Sequence, residues 1–203
     1  CGSRVLIPAK MYDEVAEKFV KGVERLKLGD PMDESTQMGA VISAEHLSKV
    51  ESYINLGIEE GGVVLTGGTS VNASVSGVHA EGAFLRPTVI GGLKHTSRTA
   101  TEEIFGPVVT LHPYHDEDEA VLMANGTEYG LAGSVWTSDV ERGHAFAQRM
   151  DTGIVWVNTW LNRDLRTPFG GVKQSGIGRE GGIWSMSFFS EMTNVCVKKH
   201  GSN

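Results

Sequence analysis

Cysteine and long apolar runs are scarce in this sequence. Only two cysteines, Cys1 and Cys196, occur among 203 residues. This excludes a disulfide framework of the kind that stabilises small secreted domains. No apolar run approaches the roughly 18 residues of a membrane-spanning helix, and no charged-then-apolar leader opens the chain. We therefore expect a cytoplasmic protein that has no membrane as a partner.

Basic charge is also scarce. Lys and Arg number 18 against 25 Asp and Glu, which gives a formal net charge of -7, and the basic residues form no dense run. Such a chain is a poor partner for nucleic acid or anionic membranes. Hydrophobic residues make up 40% of the sequence although aromatic residues make up only 7%. The hydrophobic share is sufficient for a buried core.

Helical periodicity is clearest in the first third of the chain. A first apolar stripe at three- and four-residue steps predicts a helix that ends at Gly29 and Pro31; its members are Tyr12, Val15, Phe19, Val23 and Leu26. Ser43 predicts the N-cap of a second helix, which we expect to stop at Gly61 and Gly62.

Strand-like and helical segments then alternate to the end of the chain. Strands are predicted at 63–65, 87–90, 107–111, 131–136 and 154–158, and helices at 116–124 and 139–150. Between them, residues 67–83 are rich in Gly, Ser and Ala and predict a surface excursion. The alternation predicts an α/β fold with a largely parallel sheet and covering helices.

A polar, aromatic-rich loop follows the strand at 154–158 and extends to residue 171. Because ligands in α/β folds bind beyond the carboxyl ends of strands, this loop predicts a binding site. Arg163 and Arg166 lie in it and favour an anionic ligand.

Two blocks carry a family resemblance. Residues 101–107 read T-E-E-I-F-G-P, and residues 168–180 read P-F-G-G-V-K-Q-S-G-I-G-R-E. Together with W-V-N at 156–158, they resemble the C-terminal part of the NAD(P)-dependent aldehyde dehydrogenases, in the same order and at a similar separation. The loop sequence R-D-L-R at 163–166 is most similar to the branch that oxidises 2-hydroxymuconic and 2-aminomuconic semialdehydes.

The resemblance implies catalysis by a cysteine thiolate that attacks the aldehyde carbonyl and forms a thiohemiacetal. In the family pattern the nucleophile lies about five residues before the arginine that matches Arg4, whereas Cys1 lies three before it. We therefore expect the nucleophile two residues upstream of Cys1, in a longer polypeptide. The general-base glutamate, the oxyanion-hole asparagine and the main NAD-binding domain are expected upstream as well, so no catalytic residue is assigned to this segment.

The E-E-I-F-G-P block implies part of an NAD site. By the resemblance, Glu103 accepts hydrogen bonds from the nicotinamide ribose and Phe105 packs against the nicotinamide. His46 and Lys49, on the predicted second helix, are expected to reach the adenosine ribose. Taken without the resemblance, Glu103 is an exposed carboxylate and Phe105 a core residue.

The loop implies the substrate class. Arg163 occupies a position that relatives acting on uncharged aldehydes usually fill with an apolar or aromatic side chain. We expect Arg163, with Trp160 and Phe169, to bind an aldehyde that carries a carboxylate, and Arg166 is the second candidate. The alternative is that Arg163 only pairs with Asp164 at the surface.

Two further patterns are interpreted structurally. Residues 176–181 fit G-x-G-x-x-G, but no buried apolar strand precedes them, which favours a structural glycine loop over a dinucleotide site. His112, His115 and Asp116 lie close in sequence, yet Pro113 interrupts them and a strand end followed by a helix cap explains them, so no metal is expected.

Two functions remain open from the sequence. The first is part of an NAD-dependent aldehyde dehydrogenase that oxidises a muconic-type semialdehyde, with residues 1–187 in the catalytic domain and 188–203 as an oligomerisation strand of a homodimer or homotetramer. The strand follows from the resemblance and from alternate β-prone residues such as Val195 and Val197. The second is a non-catalytic binding or assembly module of the same fold.

Overall fold

A computed structural model describes residues 2–68 and 82–198 of the chain. They form two compact units. The first contains the described residues up to 128 together with 148–150, and the second contains 129–147 and the described residues from 151 onward. The boundary predicted between residues 187 and 188 stays a prediction.

The first unit is built on a mixed sheet. Its strands are β1 (Arg4–Pro8), β2 (Val63–Thr66), β3 (Thr88–Gly91) and β4 (Val108–Tyr114). The order is β1-β4-β3-β2, with β4 parallel to both β1 and β3, and β2 antiparallel at the edge. The predicted α/β fold with a largely parallel sheet is therefore confirmed.

Helices pack against both faces of this sheet. They are α1 (Tyr12–Glu24), α2 (Ala44–Glu59), α3 (Arg98–Thr101) and α4 (Glu117–Asn125). Val89 belongs to the core that α1 covers, and the next residue, Ile90, belongs to the core that contains α2. Because successive side chains of a strand point to opposite faces, a strand buried on both faces is apolar throughout.

Two helix starts agree with the sequence. The Ser43 hydroxyl accepts a hydrogen bond from the His46 backbone N–H at 3.0 Å, and the Asp116 carboxylate accepts one from Glu119 at 2.8 Å. Each side chain satisfies an N–H that the first turn leaves unpaired. The predicted stop of α2 is also confirmed, since Gly61 has φ +91°.

The predicted end of the first helix is wrong. The helix α1 ends at Glu24, before Gly29 and Pro31. Beyond it, the Lys27 carbonyl accepts hydrogen bonds from the backbone N–H groups of Gln37 and Met38. Leu28 and Gly29 also pair with Met38, so backbone groups just after α1 bind a distant segment and the chain does not continue as a helix.

The second unit contains short elements. They are β5 (Tyr129–Gly130), β6 (Ala132–Val135), α5 (Val140–Ala147), β7 (Ile154–Val157), β8 (Val172–Lys173) and α6 (Gly182–Phe188). Strands β6 and β7 pair in parallel, and β5 pairs with β8 antiparallel. The sequence predicted β6, α5 and β7, although α5 ends three residues before Met150. It did not predict α6, because the helix starts at two glycines, Gly181 as its N-cap and Gly182 as its first residue, and glycine disfavours a helix.

The C-terminal tail has no regular structure within the described residues from 191 to 198. Phe188 is the last residue of α6 rather than the first of a strand. Since an intersubunit strand forms only beside its partner, the oligomerisation strand at 188–203 stays a prediction. The predicted excursion at 67–83 falls mostly on residues 69–81, which lie outside the described residues. Among the helices that are described, none is long and apolar enough to span a bilayer.

Candidate functional site

The E-E-I-F-G-P block connects α3 to β4 and places its side chains in different environments. Ile104 is 7% exposed and belongs to the core beneath α2. Gly106 lies so close to α2 that a Cβ atom would stand 2.5 Å from Val50 Cγ2. Phe105, between them, is 77% exposed and has φ +59°. The left-handed backbone at Phe105 turns its ring away from the core.

The conformation of Phe105 is held by α2. A non-glycine residue in the left-handed region costs roughly 1–2 kcal/mol, so neighbouring contacts must offset the strain. His46 Nε2 donates to the Phe105 carbonyl at 2.7 Å, and Lys49 Nζ donates to the Glu103 carbonyl at 3.2 Å. The rings of His46 and Phe105 also meet edge to face, with centroids 6.3 Å apart. The four residues predicted for the cofactor therefore lie together.

The two glutamates of the block differ in their partners. Glu102 accepts hydrogen bonds from Arg98 Nε at 2.7 Å and from the Tyr53 hydroxyl at 2.8 Å. The bonds from Arg98 and then Tyr53 lower the pKa of the Glu102 carboxyl. The Glu103 side chain is exposed, and its carboxylate has no hydrogen-bond or ionic partner among the described residues. The structure thus uses Glu102 internally and leaves Glu103 accessible to a ligand.

Two residues that stabilise this block, Glu60 and Tyr53, were not predicted from the sequence. Glu60 accepts hydrogen bonds from the backbone N–H groups of Arg98 at 2.7 Å and Thr99 at 3.1 Å, at the start of α3. Lys49 also lies over the ring of Tyr53, 5.9 Å from its centroid. The spacing of Lys49 and Tyr53 by four residues was a signal that they share one face of α2.

In the second unit, the loop after β7 begins with two left-handed residues. Asn158 has φ +54° and Leu161 has φ +57°. The Asn158 side chain exchanges two hydrogen bonds with the backbone of Thr137, at 2.8 and 2.7 Å, which fixes the end of the strand. The loop therefore starts from a constrained turn.

Aromatic residues stabilise the first part of this loop. Trp156 is buried at the end of β7, and its Nε1 donates to the Asn162 carbonyl at 2.8 Å. Trp160 packs against Trp156, with ring centroids 5.0 Å apart and planes inclined by 60°. Trp160 keeps 40% of its surface exposed, so part of its ring is available to a ligand.

Arg163 is the less exposed arginine of the loop. Its side chain is 24% exposed, its Nη2 donates to Glu180 at 2.6 Å, and its guanidinium lies over the Phe169 ring, 4.1 Å from the centroid. The partner expected in the surface-pairing alternative, Asp164, instead binds Arg166. The alternative is therefore wrong about the partner. Arg163 pairs with Glu180, which lies 17 residues away in sequence, and not with Asp164.

Arg166 and Asp164 form an exposed pair. Arg166 Nε donates to Asp164 Oδ1 at 3.0 Å and Nη2 donates to Oδ2 at 2.5 Å, while 88% of the arginine side chain remains exposed. The bonds from Arg166 lower the pKa of the Asp164 carboxyl. Arg166 is therefore engaged at the surface, and Arg163 is the better candidate for ligand binding.

The glycine loop at 176–181 has a structural role, as the sequence indicated. Glu180, within the loop, pairs with Phe169 as an antiparallel bridge. Gly181 has φ +99°, and a Cβ atom there would stand 2.2 Å from the Thr167 carbonyl oxygen. The glycine is required because the backbone approaches another backbone at that point.

The residues weighed as metal ligands have other partners. His112 is 1% exposed and its Nε2 lies 2.9 Å from the Thr110 hydroxyl, while Asp116 caps α4. Burial, reinforced by the nearby Arg4, lowers the pKa of His112 to about 4, against an opposing backbone hydrogen bond at Leu93. Within the described ranges, no three His, Cys, Asp or Glu residues converge as a metal site would require.

Sequence comparison shows which known proteins the chain is similar to. The chain is 44% identical over 198 residues, 98% of its length, to 2-aminomuconic 6-semialdehyde dehydrogenase of a Pseudomonas species. It is 47% identical over 184 residues, 91% of its length, to 5-carboxymethyl-2-hydroxymuconate semialdehyde dehydrogenase of Escherichia coli. The chain spans 40% of the length of the first relative and 39% of the second.

Structural comparison gives the same result. The Mycobacterium tuberculosis aldehyde dehydrogenase complexed with NAD+ superposes with a TM-score of 0.89 at 39% identity, over 99% of this chain and 40% of that one. The model of the aldehyde dehydrogenase family matches residues 1–195. The chain therefore belongs to the aldehyde dehydrogenase family.

Proposed function

We propose that this chain is part of an NAD-dependent aldehyde dehydrogenase that oxidises a carboxylate-bearing semialdehyde to the acid. The observation that carries the proposal is a difference within the E-E-I-F-G-P block. Glu102 is paired with Arg98 and Tyr53, whereas the side chains of Glu103 and Phe105 are exposed. A carboxylate without a partner beside an exposed aromatic ring suits a ligand that carries hydroxyl groups and a planar ring.

NAD fits this part of the chain. The nicotinamide ribose offers hydroxyl donors for the Glu103 carboxylate, and a charge-assisted hydrogen bond is about twice as strong as a neutral one. The exposed Phe105 ring offers an apolar face to the nicotinamide, which accepts a hydride from the substrate when NAD is bound. The strained backbone of Phe105 supports a functional role, because such strain concentrates at ligand-binding positions.

His46 and Lys49 hold the block in place in this proposal. Both bind backbone carbonyls, those of Phe105 and Glu103, and so orient the two side chains that meet the cofactor. The contact of His46 and Lys49 with the adenosine ribose stays a prediction.

The substrate proposal is based on the loop after β7. A guanidinium can hold a carboxylate through two parallel hydrogen bonds, which would fix the far end of a semialdehyde acid. Arg163 is held against Phe169, and Trp160 provides a partly exposed ring nearby in sequence. Both relatives named above are semialdehyde dehydrogenases of the muconic type by name, which supports a carboxylated substrate.

The chemical steps follow the cysteine mechanism of the family. A thiolate adds to the aldehyde carbonyl, the thiohemiacetal passes a hydride to NAD+ and becomes a thioester, and water hydrolyses the thioester to the acid and the free thiol. The proposal assigns no nucleophile to this chain and expects the thiolate to precede Cys1 in a longer polypeptide. We expect the same polypeptide to act in the cytoplasm, consistent with only two cysteines among the 203 residues.

Self-association is part of the proposal. Large apolar side chains of α6 and the tail are exposed to between 74% and 94%, namely Phe188, Phe189, Met192, Val195 and Val197. Such a concentration of exposed apolar surface is typical of an interaction site. We propose that it joins subunits in a homodimer or homotetramer, which light scattering of the purified protein tests.

Enzyme assays test the function. A polypeptide that contains this chain and the upstream cysteine should reduce NAD+ with a carboxylated semialdehyde, and the 203-residue chain alone should not. Turnover by the short chain that disappears in Cys1→Ser would place the nucleophile within it. Failure of the longer polypeptide to reduce NAD+ with any aldehyde would favour the non-catalytic module.

A further inference from the structure

Arg163 binds its carboxylate differently from Arg98 and Arg166, although Arg149 also binds Asp118 through Nη2. Arg98 and Arg166 each donate from both Nε and Nη2 to their partner. Arg163 donates to Glu180 from Nη2, whereas its Nε is buried and has no hydrogen-bond partner in the described part of the chain. The guanidinium of Arg163 is therefore held but not saturated.

The residues that hold Arg163 are themselves tied together. Phe169 N–H donates to the Glu180 carbonyl at 2.9 Å, and Glu180 N–H donates to the Phe169 carbonyl at 2.8 Å. The ring under the guanidinium and the carboxylate at its end thus belong to one paired unit. This pairing fixes both the plane of the guanidinium and its rotation within that plane.

Orientation matters for a bidentate ligand. A planar fork recognises a carboxylate only when the donors of one edge are aligned with both oxygens. If the arginine side chain were mobile before binding, the conformational entropy lost on fixing it would weaken its affinity for the carboxylate. An arginine that is already held in place avoids that loss. Because Glu180 remains 62% exposed, its own charge is screened by solvent and does not exclude a second carboxylate.

Building on the carboxylate-binding role proposed above for Arg163, we propose that Glu180 is a positioning residue for substrate specificity. Through Nη2 it holds Arg163 on the Phe169 ring, so that the terminal N–H donors that Glu180 does not use are ready for the carboxylate of the substrate, while Nε stays buried. Glu180 does not contact the aldehyde in this role.

The test uses the full-length enzyme and steady-state kinetics with a carboxylated semialdehyde and an uncharged aldehyde of similar length. Glu180→Gln keeps the shape of the side chain and removes its charge, and Glu180→Asp keeps the charge but withdraws it by one methylene. Asp164→Asn is the matched control, because it removes a carboxylate from the neighbouring Arg166 pair. Thermal melting establishes that each variant folds.

In Glu180→Gln, the KM for the carboxylated substrate should rise about tenfold with little change in kcat, because the lost interaction serves binding. Glu180→Asp should give an intermediate KM, and Asp164→Asn should leave the preference between the two substrates unchanged. The effect of Glu180→Gln should disappear in the background of Arg163→Ala, since it acts through that residue.

Opposite outcomes separate the two proposals. If Arg163→Ala lowers the preference for the carboxylated substrate but Glu180→Gln leaves its KM unchanged, the positioning role is overturned and the substrate proposal stands. A fall in the KM of Glu180→Gln for the carboxylated substrate would mean that Glu180 competes with that substrate. A rise in KM in Asp164→Asn equal to that in Glu180→Gln would indicate a general charge effect. Either result overturns the positioning role. If Arg163→Ala has no selective effect, both proposals fail. If Glu180→Gln does not fold, a parental KM in Glu180→Asp overturns the role.

Discussion

His46 on α2 donates a hydrogen bond from Nε2 to the backbone carbonyl of Phe105, 2.7 Å away, and so links the helix to a strained residue 59 positions later in the chain. Replacing the side chain in His46→Ala should lower the free energy of unfolding by about 1 kcal/mol through the lost hydrogen bond. We also expect weaker NAD binding by the full enzyme, because Phe105 is less well fixed. Calorimetric titration with NAD+ measures the effect, with Ser48→Ala on the same helix as control. Unchanged affinity would mean that Phe105 is held without His46.

The adjacent glutamates provide a matched pair. In the full enzyme, Glu103→Gln should slow hydride transfer about tenfold to a hundredfold, since a charge-assisted hydrogen bond contributes roughly 1.5–3 kcal/mol. Glu102→Gln should instead affect mainly the melting temperature, because Glu102 binds Arg98 and Tyr53. Single-turnover measurement of NADH formation distinguishes the two. Equal rates in Glu103→Gln and the parent would make Glu103 an ordinary surface carboxylate.

The glycine loop permits a similar comparison. Gly181→Ala should destabilise the chain by roughly 2–5 kcal/mol, because strain at positive φ adds to a clash with a backbone carbonyl. At Gly178, φ is +75° and a Cβ atom would meet nothing within 4 Å. Gly178→Ala should therefore cost only the strain, about 1–2 kcal/mol. Urea denaturation of both variants measures these values, and equal losses would argue against the backbone contact at Gly181.

Because His112 is buried with a lowered pKa, we expect the free energy of unfolding to decrease in acid. Its folded pKa of about 4 lies below the ordinary value of 6.5, so the stabilising contribution is complete above pH 6.5 and decreases as the pH falls toward 4. The loss should reach about 3 kcal/mol at pH 4, because the unfolded chain binds the proton more tightly. Arg4 adds to the effect by its positive charge.

Urea denaturation between pH 7 and pH 4 measures this dependence, and His112→Gln provides the comparison because glutamine cannot titrate. The variant should lose less stability over that interval than the parent. If the two curves run parallel, His112 does not control the acid sensitivity.

Local features of the fold could be predicted from the sequence. Ser43 and Asp116 indicated their helix starts because a cap involves residues three positions apart. The end of α1 could not be predicted, since it depends on bonds from Gln37 and Met38 to Lys27. Apolar periodicity extends to Leu26 without any sign of that competition.

The candidate site shows the same limit. The E-E-I-F-G-P block suggested Glu103 and Phe105, but only the structure shows that Glu102 is occupied by Arg98. Likewise, sequence proximity favoured Asp164 as the partner of Arg163, whereas the fold supplies Glu180 through its pairing with Phe169. Partners brought together by nonlocal pairing leave no signal in the spacing of neighbouring residues.

The central claim is that Arg163 selects an aldehyde bearing a carboxylate. The most direct measurement is kcat/KM of the full enzyme and its Arg163→Ala variant, with a carboxylated semialdehyde and an uncharged aldehyde of similar length. Loss of a desolvated charge pair costs roughly 2–5 kcal/mol, so kcat/KM for the carboxylated substrate should fall about thirtyfold or more relative to the uncharged one. An equal fall for both substrates, or no fall for either, would contradict the claim.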